Sequence, residues 1–542
     1  MTLQAKLRDT FKRNGSRSAL EVAGTAFTYS SLYTKASRIA QTIATIGVEG
    51  NFVGILAYRS VIAYAGLLGA LLAGKAYFPL SQKFPPSRTH SMISISDCEA
   101  IVLGYECIPV LSSLLENYDR ELPELKIIYL LEDNSSITLL AEKFPRHKFI
   151  SVCEPTPDNN IPCHLAKEND YAYLLFTSGT TGQPKGIGIT HRNICAYLES
   201  ILSQYDYCSE DRVSQAFDLT FDPSVHDVFT AWLSGSCLCV VPASSLMAPS
   251  RFIQEHKLTV WYSVPSIPMF MDNLNMLHEG RFPNLRYSMF SGEILPKTIA
   301  QKWQKAAPNS QVINYYGPTE ATVNITYYNW DQETSSDLCR NGGVPLGHPF
   351  PEQEIRIVDT DGQELPSGHR GELIVSGCQV ASGYINNQEK TADAFRLLPG
   401  EPDKTWYYTG DLAERDSNGI IYYYGRKDLQ VQILGHRVEL SEIEGVLKQT
   451  TGTDFVIVVP WPPNQISGHA DEIVAVIGTK PDSSLAEIAI DTCKSTLPSY
   501  MIPSDILFMD QFPLSQNGKF DRKVITEFVG STRSMQKKKN YE

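Results

Sequence analysis

The sequence predicts an α/β protein: a large N-terminal domain of layered α/β subdomains with a β-rich subdomain, plus a small α+β C-terminal domain. Three observations lead there. Apolar runs such as Ala100–Leu103, Ile127–Leu131 and Phe149–Val152 alternate with helical stretches, which argues for α/β layers around a largely parallel sheet. The segment from Gly371–Gly377 through Gly383-Tyr384 reads as β-rich. Beyond it strands and helices alternate again, with Asp454–Val459, Glu472–Ile477 and a helix near Leu485–Ser495. At 542 residues the chain is too long for one ordinary domain.

Composition narrows the class. Hydrophobic content of 42% and charged content of 20% are globular values. A net charge of −13 argues against a nucleic-acid binder. The first ten residues lack an apolar signal region, and no run of eighteen apolar residues occurs. The eleven cysteines are scattered, the nearest pair is Cys237 and Cys239, and no C-x-x-C is present. These features predict reduced, mostly buried thiols in a cytoplasmic protein without a membrane partner. The lysines Lys537–Lys539 read as a solvated tail.

The elements follow in order. A helix over Phe27–Ile43 is expected to enter through Ser30, and another runs from Ile62 to Leu71 with Gly74 as its stop. Tyr77–Leu80 is a strand entry. Tyr171–Phe176 reads as a buried strand that breaks into Thr177-Ser178-Gly179-Thr180-Thr181-Gly182-Gln183-Pro184-Lys185-Gly186. That composition suits a phosphate: glycines let N–H groups converge on an anion, hydroxyls add donors, and Lys185 adds a charge. The G-x-x-x-x-G-K-[ST] loop is excluded, because Pro184 stands where its second glycine belongs and Gly186 follows the lysine. A strand over Ile187–Thr190 and a helix from His191 to about Gln204 come next.

Asp222-Pro223 opens a further helix, which makes Asp222 an N-cap on local grounds. Val260–Ile267 and Leu285–Glu293 are each a strand with a break, and Gly292 lets backbone approach a ligand. Val312–Asn324 is a strand ending in Gly317-Pro318-Thr319-Glu320. Glu320 is a hard oxygen ligand suited to Mg²⁺ and Thr319 a phosphate donor. In isolation, Asp411 in Thr409-Gly410-Asp411 reads as a turn residue, and Lys519 after Asn517-Gly518 as an exposed lysine.

Taken together, these stretches resemble the motifs of the adenylate-forming superfamily, in the family's order. That family includes acyl-CoA synthetases, luciferases and the amino-acid adenylation domains of nonribosomal peptide synthesis. The Thr177–Gly186 stretch is similar to its phosphate loop, which implies ATP contacts from Thr177, Ser178, Gly179, Thr180, Thr181, Gly182 and Lys185. Asn314–Glu320 is similar to N-x-Y-G-P-T-E, which implies Tyr316 against adenine, Thr319 on phosphate and Glu320 on Mg²⁺. Asp411 matches the aspartate that holds both ribose hydroxyls. Tyr423 matches the residue beside the nucleotide, Arg426 a phosphate arginine and Asp428 the hinge. The implied domains are 1–427, the adenylation core, and 428–542, a mobile C-terminal domain carrying the catalytic Lys519. The chain departs from the family at Ser81-Gln82, where Asp-Pro is usual, and at Gln432 and Leu434, where lysine and arginine are usual. The latter pair bears on the second half-reaction.

The resemblance implies that a substrate carboxylate attacks the α-phosphate of Mg·ATP and releases pyrophosphate, and that the acyl group then passes to a thiol. Lys519, Lys185, Thr319 and Glu320 are the expected catalytic residues. Asp222 matches the aspartate that pairs with an amino-acid α-ammonium, which favours a ligase for amino acids over an acyl- or aryl-CoA ligase or a silent nucleotide-binding regulator. The expected acceptor is the phosphopantetheine of a separate carrier protein, since only a short segment follows Lys519. Pocket candidates are Asp222, Pro223, His226, Tyr262, Met289, Ser291, Tyr315, Val323 and Asn324, with Lys519. No other charge is among them, which disfavours a charged side chain. A small apolar or cyclic side chain is expected, with L-proline the leading substrate and Ser or Thr the alternatives through His226 and Asn324.

Overall fold

The computed structural model describes residues 1–130, 135–152, 165–178, 184–427, 430–433, 435–462, 469–510, 512–513, 520 and 522–539. These form two compact units. The first comprises residues 1–82, 89–176 and 185–424; the second comprises 83–88, 177–184 and 425–542.

The first unit holds three sheets. A seven-stranded sheet runs Lys148–Ser151, Lys126–Tyr129, Ala100–Leu103, Phe52–Leu56, Ala76–Leu80, Tyr171–Thr177 and Lys185–Thr190. A nine-stranded sheet has at its centre the parallel neighbours Cys237–Val240, Arg212–Gln215, Val260–Ser263, Tyr287–Phe290 and Gln311–Tyr316. A five-stranded sheet with antiparallel ladders includes Gln353–Val358, Arg370–Gly377 and the long strand Glu401–Arg415. One continuous apolar core reaches into all three sheets, joining Val53 and Tyr173 of the first to Tyr262 and Ile313 of the second and Leu373 of the third. The mixed α/β class and the largely parallel central strands agree with the alternation of apolar runs.

Register decides what the central strands present. Tyr262 pairs with Met289 and Met289 with Ile313, so these side chains lie abreast on one face. Tyr315 lies two residues further along that face. Helices His191–Gln204 and Pro223–Ser234 belong to the same core and cover it. Side chains at the carboxyl ends of parallel strands thereby gather where α/β sheets bind ligands.

Three local expectations change. The helix near Phe27 is Tyr29–Thr45, and Thr28, not Ser30, caps it by accepting from Ser31 N–H at 3.1 Å. Phe27 instead pairs with Leu20 in the preceding hairpin, and that pairing holds the chain extended to residue 28. Asp222 occupies the N-cap position of Pro223–Ser234 but makes no capping hydrogen bond, because its own backbone is already helical at φ −59° and ψ −29°. The C-terminal lysines belong to a helix, Arg522–Lys539, and not to an unstructured tail.

The second unit holds two three-stranded sheets. One contains Gln430–Ile433 and His436–Glu439; the other contains Val456–Trp461, Glu472–Ile477 and Asp505–Phe508. Helices Leu440–Thr451 and Ser483–Thr496 pack on them through a separate core that includes Ile443, Leu447, Val458, Ala475 and Ala489. Among the described residues no helix is long and apolar enough to cross a membrane.

Candidate active site

The strand Lys185–Thr190 starts the site. Its first residue places Nζ 5.3 Å from the centre of the Tyr384 ring. The Tyr384 hydroxyl donates to Glu320 Oε1 at 2.9 Å, and Glu320 is fully buried. Backbone bonds hold the strap that carries Tyr384: Ala381 N–H donates to the Glu320 carbonyl at 2.8 Å, and Ile385 N–H to the Gly186 carbonyl at 2.8 Å. Gly383 has φ +144°, and a Cβ there would meet Thr391 Cγ2 at 2.4 Å. Its bare backbone lets Thr391 Oγ1 accept from Tyr384 N–H at 2.9 Å. A cation, a phenol and a carboxylate thus form one cluster, and Tyr384 joins the predicted pair Lys185 and Glu320. Only the Gly-Tyr step in a β-rich stretch signalled that tyrosine in the sequence.

Tyr316 ends the strand Gln311–Tyr316 and donates to Asp411 Oδ2 at 2.5 Å. Asp411 is buried on the strand Glu401–Arg415, and Tyr423 is half-buried on Ile421–Arg426. Thr319 and Glu320 form a short 3₁₀ turn after the strand. Gly317 lets that turn pack: a Cβ there would lie 2.5 Å from Asn324 Cα and 2.5 Å from the Val323 carbonyl oxygen. Thr322 and Val323 are β-branched yet sit at φ +59° and +70°, in the left-handed region. Their surroundings hold them there: Gln379 Nε2 donates to the Asn324 carbonyl at 2.8 Å, and Thr322 Oγ1 donates to the Gln379 carbonyl.

Other predicted residues fall elsewhere. Thr177, Ser178 and Arg426 belong to the second unit. There Ser178 Oγ donates to the Arg437 carbonyl at 3.0 Å, and Thr177 Oγ1 is buried with no hydrogen-bond partner among the described residues. Gly179, Thr180, Thr181, Gly182, Asp428, Leu434 and Lys519 lie outside the described residues.

The pocket candidates do converge. Asp222 and Pro223 are half-buried at the head of Pro223–Ser234, and the Asp222 charge acts on the Tyr173, Tyr197 and Tyr262 phenols. His226, one turn on, is fully buried, with Nδ1 2.7 Å from the Tyr197 hydroxyl and Nε2 3.1 Å from the Tyr207 hydroxyl. Burial pushes the His226 imidazole down to about 3, so it is neutral. Asn324 Nδ2 donates to Tyr197 Oη and to Tyr262 Oη, both at 3.0 Å, and Tyr262 Oη lies 2.5 Å from Ser291 Oγ. Tyr197 accepts from Asn324, His226 bridges the Tyr197 and Tyr207 hydroxyls, and Tyr207 donates to Met289 Sδ at 3.5 Å. Tyr197 and Tyr207 were not among the sequence candidates, since nothing in their local sequence distinguishes them from core tyrosines.

The sequence pattern of the AMP-binding enzyme family matches residues 7–385. The chain belongs to that family. Tyrocidine synthase 3 of Brevibacillus parabrevis is 32% identical over 97% of this chain, yet the match covers 8% of that protein. Zwittermicin A synthase ZmaJ of Bacillus cereus is 31% identical over 92% of this chain and 89% of its own length. The Vibrio cholerae adenylation domain AlmE, solved with glycyl-adenosine-5'-phosphate, is 32% identical with a TM-score of 0.87, covering 98% of both chains. Within this AMP-binding enzyme, the first unit combines an Asp–Tyr pair, a Lys–Tyr–Glu cluster and the half-buried carboxylate of Asp222, one turn before His226 of a buried polar network.

Proposed function

We propose that this chain joins an amino acid to AMP, releasing pyrophosphate from ATP, and then passes the aminoacyl group to the phosphopantetheine thiol of a separate carrier protein in the cytoplasm. The placement of Asp222 carries this reading. Its carboxylate stands half-buried at the head of Pro223–Ser234, where its charge acts on the Tyr173, Tyr197 and Tyr262 phenols and would attract a ligand's ammonium group. An acyl- or aryl-acid substrate carries no ammonium group to offer that carboxylate. The amino-acid complex of the AlmE relative supports the same class.

In this reading the substrate carboxylate is the nucleophile. One of its oxygens bonds to the α-phosphorus as the bond to the pyrophosphate oxygen breaks. Tyr316 and Asp411 hold adenine and ribose, Thr319 and the phosphate loop from Thr177 to Lys185 hold phosphate oxygens, and Lys519 bridges substrate and nucleotide. Tyr423 and Arg426 flank the nucleotide. Glu320 fits Mg²⁺: it is a buried hard-oxygen donor oriented by the Tyr384 phenol. Bound there, Mg²⁺ would offset phosphate charge. Apart from Asp222 and Lys519 the pocket candidates carry no charge, so a small uncharged amino acid is the proposed substrate, with proline at the large end of that class.

The test is ATP–pyrophosphate exchange with all twenty amino acids and with aryl and fatty acids, in wild type and Asp222→Asn. Exchange with an amino acid, lost on the order of 100-fold in D222N, is expected from a charge-assisted contact. Exchange with aryl or fatty acids alone would overturn the proposal. Loading of a holo-carrier protein supplied in trans tests the second step.

A further inference from the structure

We infer that the side-chain subsite is closed by a hydrogen-bonded plug of Tyr197, Tyr207, His226, Tyr262, Ser291 and Asn324, and that the substrate is glycine, an inference that rests on the aminoacyl-adenylation reading.

Space is the first argument. His226 and Tyr262 are 0% exposed, Asn324 1% and Ser291 3%. Met289 at 0% and Tyr315 at 1%, from the neighbouring strands, are buried on the sheet side. Phe221, Asp222 and Pro223 are half-buried at the head of the helix that carries His226, where an α-ammonium and α-carboxylate would lie.

Chemistry is the second. The six groups form one connected hydrogen-bonded chain, from Ser291 and Tyr262 through Asn324 and Tyr197 to His226 and Tyr207. Both imidazole nitrogens and both Asn324 amide protons are engaged inside it. A serine or threonine side chain would have to break an internal bond to gain one. A proline ring would have to displace a buried aromatic that also packs edge-on against Phe217 at 5.0 Å and His226 at 4.9 Å. Protein interiors do not yield that volume cheaply. Glycine needs none of it. Tyr197 and Tyr207 thereby become specificity-determining residues, although neither faces the mouth: they fix the His226 ring that fills the space.

The experiment is pyrophosphate exchange with the purified chain on glycine, L-alanine, L-serine and L-proline, for wild type, Tyr262→Ala and Tyr262→Phe, with thermal melts to confirm folding. Wild type should favour glycine over L-alanine by on the order of 100-fold, the discrimination one added methyl can give. Y262A should raise the alanine-to-glycine ratio at least tenfold, whereas Y262F keeps the ring and the selectivity. Proline or serine matching glycine in the wild type would overturn the inference and leave adenylation standing. A folded Y262A with an unchanged ratio would also overturn it. Exchange with no amino acid at all would overturn the parent reading, and this inference with it. The wild-type ratio decides the matter even if Y262A does not fold.

Discussion

Tyr316 Oη donates to Asp411 Oδ2 at 2.5 Å, joining the end of a central parallel strand to the long strand of the β-rich sheet. The two residues are 95 positions apart in sequence, and the bond holds the proposed adenine-side ring and ribose-side carboxylate as one rigid pair. Asp411→Asn should raise the apparent KM for ATP about 10- to 100-fold, the range for losing a charged acceptor. Tyr316→Phe should raise it less, because the carboxylate survives. Titrating ATP in the exchange assay separates the two, and equal effects would show that the phenol, not the carboxylate, dominates.

Tyr384 links Lys185 to Glu320. Replacing it by Phe keeps the ring beneath the lysine and removes the hydroxyl that donates to Glu320 Oε1. The expected result is a shift of several-fold in the Mg²⁺ concentration for half-maximal exchange, with the ATP dependence little changed. Lys185→Met should instead lower the exchange rate at saturating Mg²⁺. A Y384F enzyme with unaltered Mg²⁺ dependence would remove Glu320 as the metal ligand.

Gly317→Ala places a methyl group against the backbone of Val323 and Asn324. Backbone cannot rotate away as a side chain can, so the turn carrying Thr319 and Glu320 must shift. We expect about 1–3 kcal/mol of destabilisation and loss of most exchange activity. Denaturant titration alongside the exchange assay checks both. Full activity in G317A would mean that the turn tolerates movement.

Acid should destabilise the chain. Burial holds the imidazoles of His226 near 3 and of His191 and His436 near 4, against 6.5 when unfolded. Below 6.5 the unfolded chain therefore binds protons that the folded chain refuses, and stability falls with pH down to about 4. Asp227 works the other way, since burial pushes its carboxyl well above the usual range, but it is one group against three. Tm should be lower at pH 5 than at pH 7. An unchanged Tm would show that these rings gain protons without unfolding.

Much of the fold was legible because the signals are local. The apolar runs of the central strands, the Gly74 stop and the strand before Gly317 each depend on neighbours in sequence. Errors fell where distant pairing overrode a local signal. Phe27 looked helical until Leu20 paired with it, and Asp222 looked like a cap until its own backbone turned helical. Glu320, Tyr316 and Asp411 were legible as motif residues, whereas Tyr384 and Tyr207 were not, since a tyrosine in a strap or loop carries no local mark of what it will touch.

The sequence by itself determined the class of chemistry: hydroxyls and glycines around Lys185, a hard carboxylate at Glu320 and a charge at Asp222 are properties of residue type and order. Only the tertiary structure decided the contents of the pocket. Whether His226 and Asn324 offer hydrogen bonds to a ligand depends on what else reaches them. Tyr197 and Tyr207, delivered by a helix and the loop after it, reach His226 first, and Tyr197 takes an Asn324 proton too. Hydrogen bonds are short-ranged and saturable, so a group that spends its donors and acceptors inside the fold has none left for a substrate, and no reading of the chain in order shows which groups have done so.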